Sequence, residues 1–214
     1  MELLAAWTNL VHRLGGHPDP AAGRRLLARY AEPHRHYHTV THLVAVLSTV
    51  DTLAPEAAEP DIARLAGWYH DAVYNPSRSD NEECSALLAE DELAQMVLPH
   101  RYVERVAALV RITAAHHPPA GDAEAAVLCD ADLAVLAAPA PEYDAYVAAV
   151  RREYAHVGDA GWRVGRGDVL GRLVALPQLF WTRPARAWEP GARANLSREL
   201  AGLAGPSAGA DRPR

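Results

Sequence analysis

The 214-residue chain contains no lysine; all 21 of its basic residues are arginine. Against 27 acidic residues this leaves a formal net charge of −6, which argues against a surface built to neutralise duplex phosphate backbone. Arginine in place of every lysine, beside abundant alanine, fits coding bias and is given no functional weight. Cysteine is nearly absent as well. Cys84 and Cys129 are the only two, both in apolar helical contexts, so no disulfide framework is available and both are expected as small buried hydrophobes. The first 16 residues lack a basic segment leading into an uninterrupted apolar stretch. No window approaches the run of about 20 apolar residues that a membrane span needs. A cytoplasmic setting with no membrane partner is expected. Strand runs with period-two alternation, internal repeats, heptads and a Gly-rich phosphate loop are also missing.

What is present is helical periodicity cut by breakers. A stretch from about residue 3 to 14 ends at Gly15-Gly16, and a second at about 21–30 gives way to a polar, His-rich piece at 32–38. From Thr41, apolar Leu43, Val46, Leu47 and Val50 recur at helical spacing. Pro60-Asp61 opens a stretch striped by Ile62, Leu65, Ala66, Tyr69 and Val73. Asn75-Pro76 closes it, because the residue before proline is pushed out of the α region. Asp80 and Glu83 have the spacing of a capping box, Pro99 suits a first helical turn, and Asp122 is a plausible cap for 123–136. Further stretches at about 142–156, 162–176 and 185–203 complete the chain. The pattern implies one all-α domain over residues 1–204, a bundle of eight or nine helices, with a disordered tail at 205–214. That length supports a core large enough to need no staples.

The titratable residues are unevenly spread. His38 and His42 lie one helical turn apart, and His70-Asp71 sits near a helix end. Asp130 and Asp132 interrupt the apolar run 125–136. A carboxylate inside an apolar helix loses its hydration unless something compensates, and a cation compensates best. Imidazole and carboxylate donors together suit divalent Mn, Fe, Co, Ni or Mg, and the absence of cysteine from these clusters argues against a structural zinc site.

Five short motifs follow one another along the chain: 37–42 (Tyr-His-Thr-Val-Thr-His), 68–76 (Trp-Tyr-His-Asp-Ala-Val-Tyr-Asn-Pro), 79–86, 128–136 and 151–154 (Arg-Arg-Glu-Tyr). In this order and over about residues 30–200, the sequence resembles the HD superfamily of metal-dependent phosphohydrolases, and within it a subfamily of predicted HD phosphohydrolases. The resemblance implies that His42, His70, Asp71 and Asp130 hold the metal, one divalent ion per chain. It implies hydrolysis of a phosphate ester or anhydride on a nucleotide or another small phosphorylated metabolite. His116 matches a histidine of that subfamily and stands as a substrate-side or second-metal residue, with His117 beside it as the rival.

Around that set, Asp71 is expected to matter most, as ligand and orienter of water. Glu82 follows the dyad closely enough to act as general base, an exposed helix-start role being the alternative. His38 would donate to a ligand or to substrate phosphate. Asn81, Arg151 and Arg166 are substrate-side candidates, the arginines as bidentate phosphate grips or else as ordinary ion pairs. Asp132, two residues from Asp130, is expected to face away in a salt bridge or cap. Glu83 is expected to serve Asp80. A homodimer is admitted, and duplex nucleic acid is not expected as a partner. Two other classes fit a His/Asp helical scaffold: a di-iron oxygen-activating enzyme and a non-catalytic metabolite sensor.

Overall fold

A computed structural model describes residues 3–204. Within them the chain forms α1 (Leu3–Arg13), α2 (Pro20–Arg29), α3 (Val40–Leu53), α4 (Pro60–Tyr69), α5 (Asn81–Gln95), α6 (His100–Ile112), α7 (Ala123–Leu133), α8 (Ala140–Glu153), α9 (Asp159–Ala175) and α10 (Glu189–Ala204). No strand occurs among the described residues. The all-α expectation holds, but each stretch between breakers is its own helix, so there are ten rather than eight or nine. The tail expected to be disordered lies outside the described residues. None of the described helices is long and apolar enough to cross a membrane.

The bundle is organised about α4. Proline at its first turn suits a position whose N–H has no helical partner. From Ile62 to Tyr69 every residue except Arg64 is buried, so the helix is apolar nearly all round, the mark of a helix inside a bundle rather than on its surface. It packs on α1, α3, α5, α6 and α7. Gly67 keeps that packing close: a Cβ there would meet Leu47 Cδ2 at 3.4 Å and Val46 Cγ1 at 3.5 Å. Helices α5 and α6 form an antiparallel hairpin. By contrast α9 packs chiefly on α10, and only Arg166 and Leu170 of its 17 residues are buried.

Two expected boundaries move, and both matter for the site. Helix α4 stops at Tyr69 with His70 as its C-cap, short of the stripe residue Val73, so Asp71 lies in the turn beyond. Helix α7 stops at Leu133 and continues as a 3-10 turn, Ala134–Ala137. The capping box does not form. Asp80 is the N-cap of α5, yet its carboxylate pairs with Arg78 and makes no cap bond. Glu83 pairs with Arg111 on α6, because the arginine offers a charged fork where the cap offers one N–H. Asp122 does cap α7, accepting from Ala125 N at 3.0 Å.

Leu65 is fully buried on α4. Leu65→Ala should lower unfolding free energy by about 2–5 kcal/mol, measured by denaturant titration. A change under about 1 kcal/mol would contradict a central α4.

Candidate metal centre

The C-terminal end of α4, the first turn of α3 and the last turn of α7 meet at one level, and four side chains converge there. His42 and His70 are buried; Asp71 and Asp132 are nearly so. One donor atom from each lies within 4.8 Å of the others. His42 Nε2 is 3.1 Å from His70 Nε2, 3.2 Å from Asp132 Oδ1 and 3.4 Å from Asp71 Oδ2. His70 Nε2 is 3.0 Å from Asp71 Oδ2 and 3.6 Å from Asp132 Oδ1. Donors about 2.0–2.2 Å from one divalent ion are roughly 3.0–3.5 Å apart, so these separations suit a shared cation. His70 Nδ1 donates to Gly67 O at 2.8 Å, which fixes the tautomer and leaves Nε2 as a lone-pair donor. These residues could hold a metal ion.

Electrostatics agree with the geometry. Burial pushes the Asp71 carboxyl up, but the His70 and His38 charges and hydrogen bonds from His42 and His70 hold it well below the usual carboxylate range. Burial likewise opposes ionisation of Asp132, and His70, His116 and His42 overcome it. The reciprocal effect lifts His42 and His70: burial lowers both, and the two carboxylates more than restore them. Two carboxylates have therefore been taken from water where only positive charge can compensate them.

Asp130 is not in this cluster. It is fully buried on another face of α7, where Oδ1 accepts from Trp181 N at 2.8 Å. Its Oδ2 accepts from Thr182 N and Thr182 Oγ1, both at 2.7 Å. Its hydration is replaced by three donors of the segment before α10, not by a cation. Two residues on a helix are about 200° apart, so only one carboxylate can face α3 and α4, and it is Asp132. Asp132 also spans outward: its Oδ2 is 2.8 Å from His116 Nε2. His116 has a left-handed φ of 48°, an uncommon conformation for a residue with a Cβ. His117 instead sets its ring edge-on to Trp181.

Asp71 and Asp132 of the cluster line a cleft of about 590 Å³ walled by α5, the turn after α6, α8 and α9, while His42 and His70 are buried beside them. His38, Asn81, Glu82, His116 and Arg166 all reach it. Among the described residues Glu82 makes no ion pair, leaving its carboxylate free on the cleft wall. Asn81 lines the wall but is engaged, bonding both N–H and C=O of Asn75. Arg166 is buried and forked onto Glu199, with Tyr146 Oη also accepting from it, so its charge fastens α9 to α10. Arg151 donates to Tyr154 O, Val157 O and Asp159 and lies over Trp162; it closes the end of α8 rather than facing the floor.

Two supporting residues were not singled out from the sequence. Buried Glu153, at the end of α8, accepts from His36, Tyr37 and His38 N–H through Oε1 at 2.7, 2.7 and 3.0 Å. Its Oε2 is 2.7 Å from His38 Nδ1 and accepts from Tyr74 Oη at 2.9 Å. His38 is thus clamped at Nδ1 and stacked on Tyr74, 4.0 Å between centroids. Arg35 donates to His38 O, Asp71 O and Ala72 O, tying the piece before α3 to the turn that carries Asp71. A carboxylate 117 positions from its partner gives no local signal, although Glu153 stands inside the quoted run 151–154.

No family model, curated protein or solved structure matches the chain.

Two outcomes follow from these assignments. Asp132→Asn should weaken Mn²⁺ binding, read by calorimetry, by more than the roughly 10–100-fold that losing a supporting partner costs. Asp130→Asn should leave that affinity intact and lower stability by about 1–3 kcal/mol; the reverse pattern would return Asp130 to the site. Glu153 supplies a pH dependence. Burial pushes its carboxyl up, but the His38 hydrogen bond and charge and the Tyr37 and His36 N–H groups bring it down from 4.5 to about 2. A depressed folded value stabilises the fold above about pH 4.5, and that stabilisation is lost as pH falls toward 2. Glu153→Gln should cost about 3 kcal/mol at pH 7 and flatten the acid limb between pH 5 and 2 in unfolding titrations. An unchanged acid limb would refute it.

Proposed function

We propose that the chain is a metal-dependent phosphohydrolase acting on a phosphate ester or anhydride of a small molecule. The observation that carries this reading is the convergence of His42, His70, Asp71 and Asp132 on one point at the floor of an accessible cleft. The resemblance of the ordered motifs to those of HD phosphohydrolases supports it, with Asp132 in the place first given to Asp130. A cation of the Mn, Co, Ni, Fe or Mg class, one per chain, supplies Lewis acidity that polarises a phosphoryl oxygen and acidifies water. In the six-coordinate shell that such ions favour, four protein donors would leave two positions for water and substrate.

The chain's own residues divide the remaining work. Asp71, in the turn after α4 rather than in the helix, orients the attacking water over the floor. Glu82 stands unpaired on the wall and takes the proton. His38, held at Nδ1 by Glu153, presents its other nitrogen to the cleft and donates to substrate oxygen. His116 leans on the outer oxygen of Asp132 and closes the opposite side. Arg166 is committed to Glu199, so substrate charge is met mainly by the metal centre and the histidines.

Protein loaded with Mn²⁺ or Co²⁺ should hydrolyse members of a panel of nucleotides and simple phosphomonoesters. Chelation should abolish turnover, and Asp71→Ala should lower kcat by at least about 10²-fold. Turnover unaffected by either, or two irons per chain with an oxygen-dependent spectrum, would overturn the reading.

A further inference from the structure

The cleft over the cluster opens into a second chamber of about 680 Å³, and the two share His38, His116, Asp132, Tyr146, Arg166, Val169 and Arg172 as a common wall. The chambers differ in chemistry. Beyond that wall the second is lined mostly by apolar groups, Leu133, Val135 and Leu136 from the end of α7 and its 3-10 turn and Leu173 and Leu176 at and just past the end of α9, with Tyr37 as its one further polar side chain. Helix α9 packs chiefly on α10, and its Val169 and Leu173, with Leu176 just past its end, also line this gap, the two leucines being partly buried against the core. Val169 is 38% exposed, so part of this apolar group lacks protein cover. An apolar helical stripe is ordinarily buried against a neighbouring element. Here it faces a chamber that begins at a metal-ligating carboxylate.

We infer that the substrate is a phosphate monoester of an aliphatic alcohol, its phosphate at the metal centre and its hydrocarbon chain in the chamber between α7 and α9. This rests on the phosphohydrolase reading and narrows its substrate class. A nucleobase carries ring nitrogens and exocyclic groups that need hydrogen-bond partners once desolvated, and leaving them unpaired is costly. Beyond the shared residues the chamber offers a single polar side chain, the Tyr37 phenol, too few partners for a nucleobase edge, whereas a hydrocarbon chain needs none and gains from every methylene it buries. Arg172 lines both chambers and forms no ion pair among the described residues, so an exposed cation borders the shared wall. A polar head and an apolar tail thus each meet their own kind along one continuous cavity.

The test uses alkylphosphonates of two to eight carbons, which cannot be hydrolysed, with Mn²⁺-loaded full-length protein and calorimetric affinity as the readout. Affinity should rise two- to fourfold per methylene until the chamber is filled, and octylphosphonate should bind more tightly than adenosine monophosphate. Val169→Asp, at a partly exposed site that the fold does not need, should flatten the series; Leu173→Gln should do the same independently. Affinity independent of chain length, tighter binding of the nucleotide, or a slope unchanged in both variants would overturn the inference. Chain-length dependence without hydrolysis of the matching alkyl phosphates would leave the chamber standing and refute the phosphohydrolase reading instead.

Discussion

The mutual neutralisation of two histidines and two aspartates at the end of α4 is the interaction on which the rest of the structure depends. Desolvating two carboxylates is among the costliest things a fold can do, and four donors within 4.8 Å are tolerable only if positive charge is shared among them. In the protein alone that charge comes from His42 and His70, whose ionisation the carboxylates favour. A divalent cation would do the same more completely, without requiring two imidazolium rings whose Nε2 atoms are 3.1 Å apart. The cluster is therefore a place where folding energy is spent on holding a binding geometry.

Much of the fold can be understood as the scaffold of that geometry. Helix α4 is buried nearly all round and ends at the cluster, so its neighbours fix the height of His70. Arg35 and Glu153 do for the loops what α4 does for the helices. One binds the backbone on both sides of the cleft floor, and the other gathers three successive N–H groups and the His38 ring. Asp130 works in the same manner on the far side of α7, anchoring Trp181 and Thr182. Against this rigid body α9 is lightly held, through the buried Arg166–Glu199 pair, and it forms the wall that a ligand would touch.

The helices were legible because their signals are local: breakers, apolar spacing and prolines at first turns. His42 and the His70-Asp71 pair were legible because charged groups at apolar helix ends are conspicuous. What misled was the choice between Asp130 and Asp132. Helix α7 is buried on several faces, seven of its eleven residues, so an apolar context marks both carboxylates equally. Which one meets α3 and α4 is a matter of helix rotation, set by tertiary packing. The bond from Asp132 to His116 was equally out of reach, as were the clamp by Glu153 and the pairing of Glu83 with Arg111, since each joins side chains far apart in the chain. Asp71 was placed on a helix and lies in the turn after it; the apolar stripe runs on to Val73 although the backbone does not.

The central claim is that one divalent cation sits among His42, His70, Asp71 and Asp132. Crystals grown with Mn²⁺ and measured at a wavelength where manganese scatters anomalously test it most directly. One anomalous peak is expected, touching all four donor atoms, with Asp130 still bonded to Trp181 and Thr182. A peak elsewhere, coordination by Asp130, or a fully ordered cluster with no peak at saturating Mn²⁺ would contradict it.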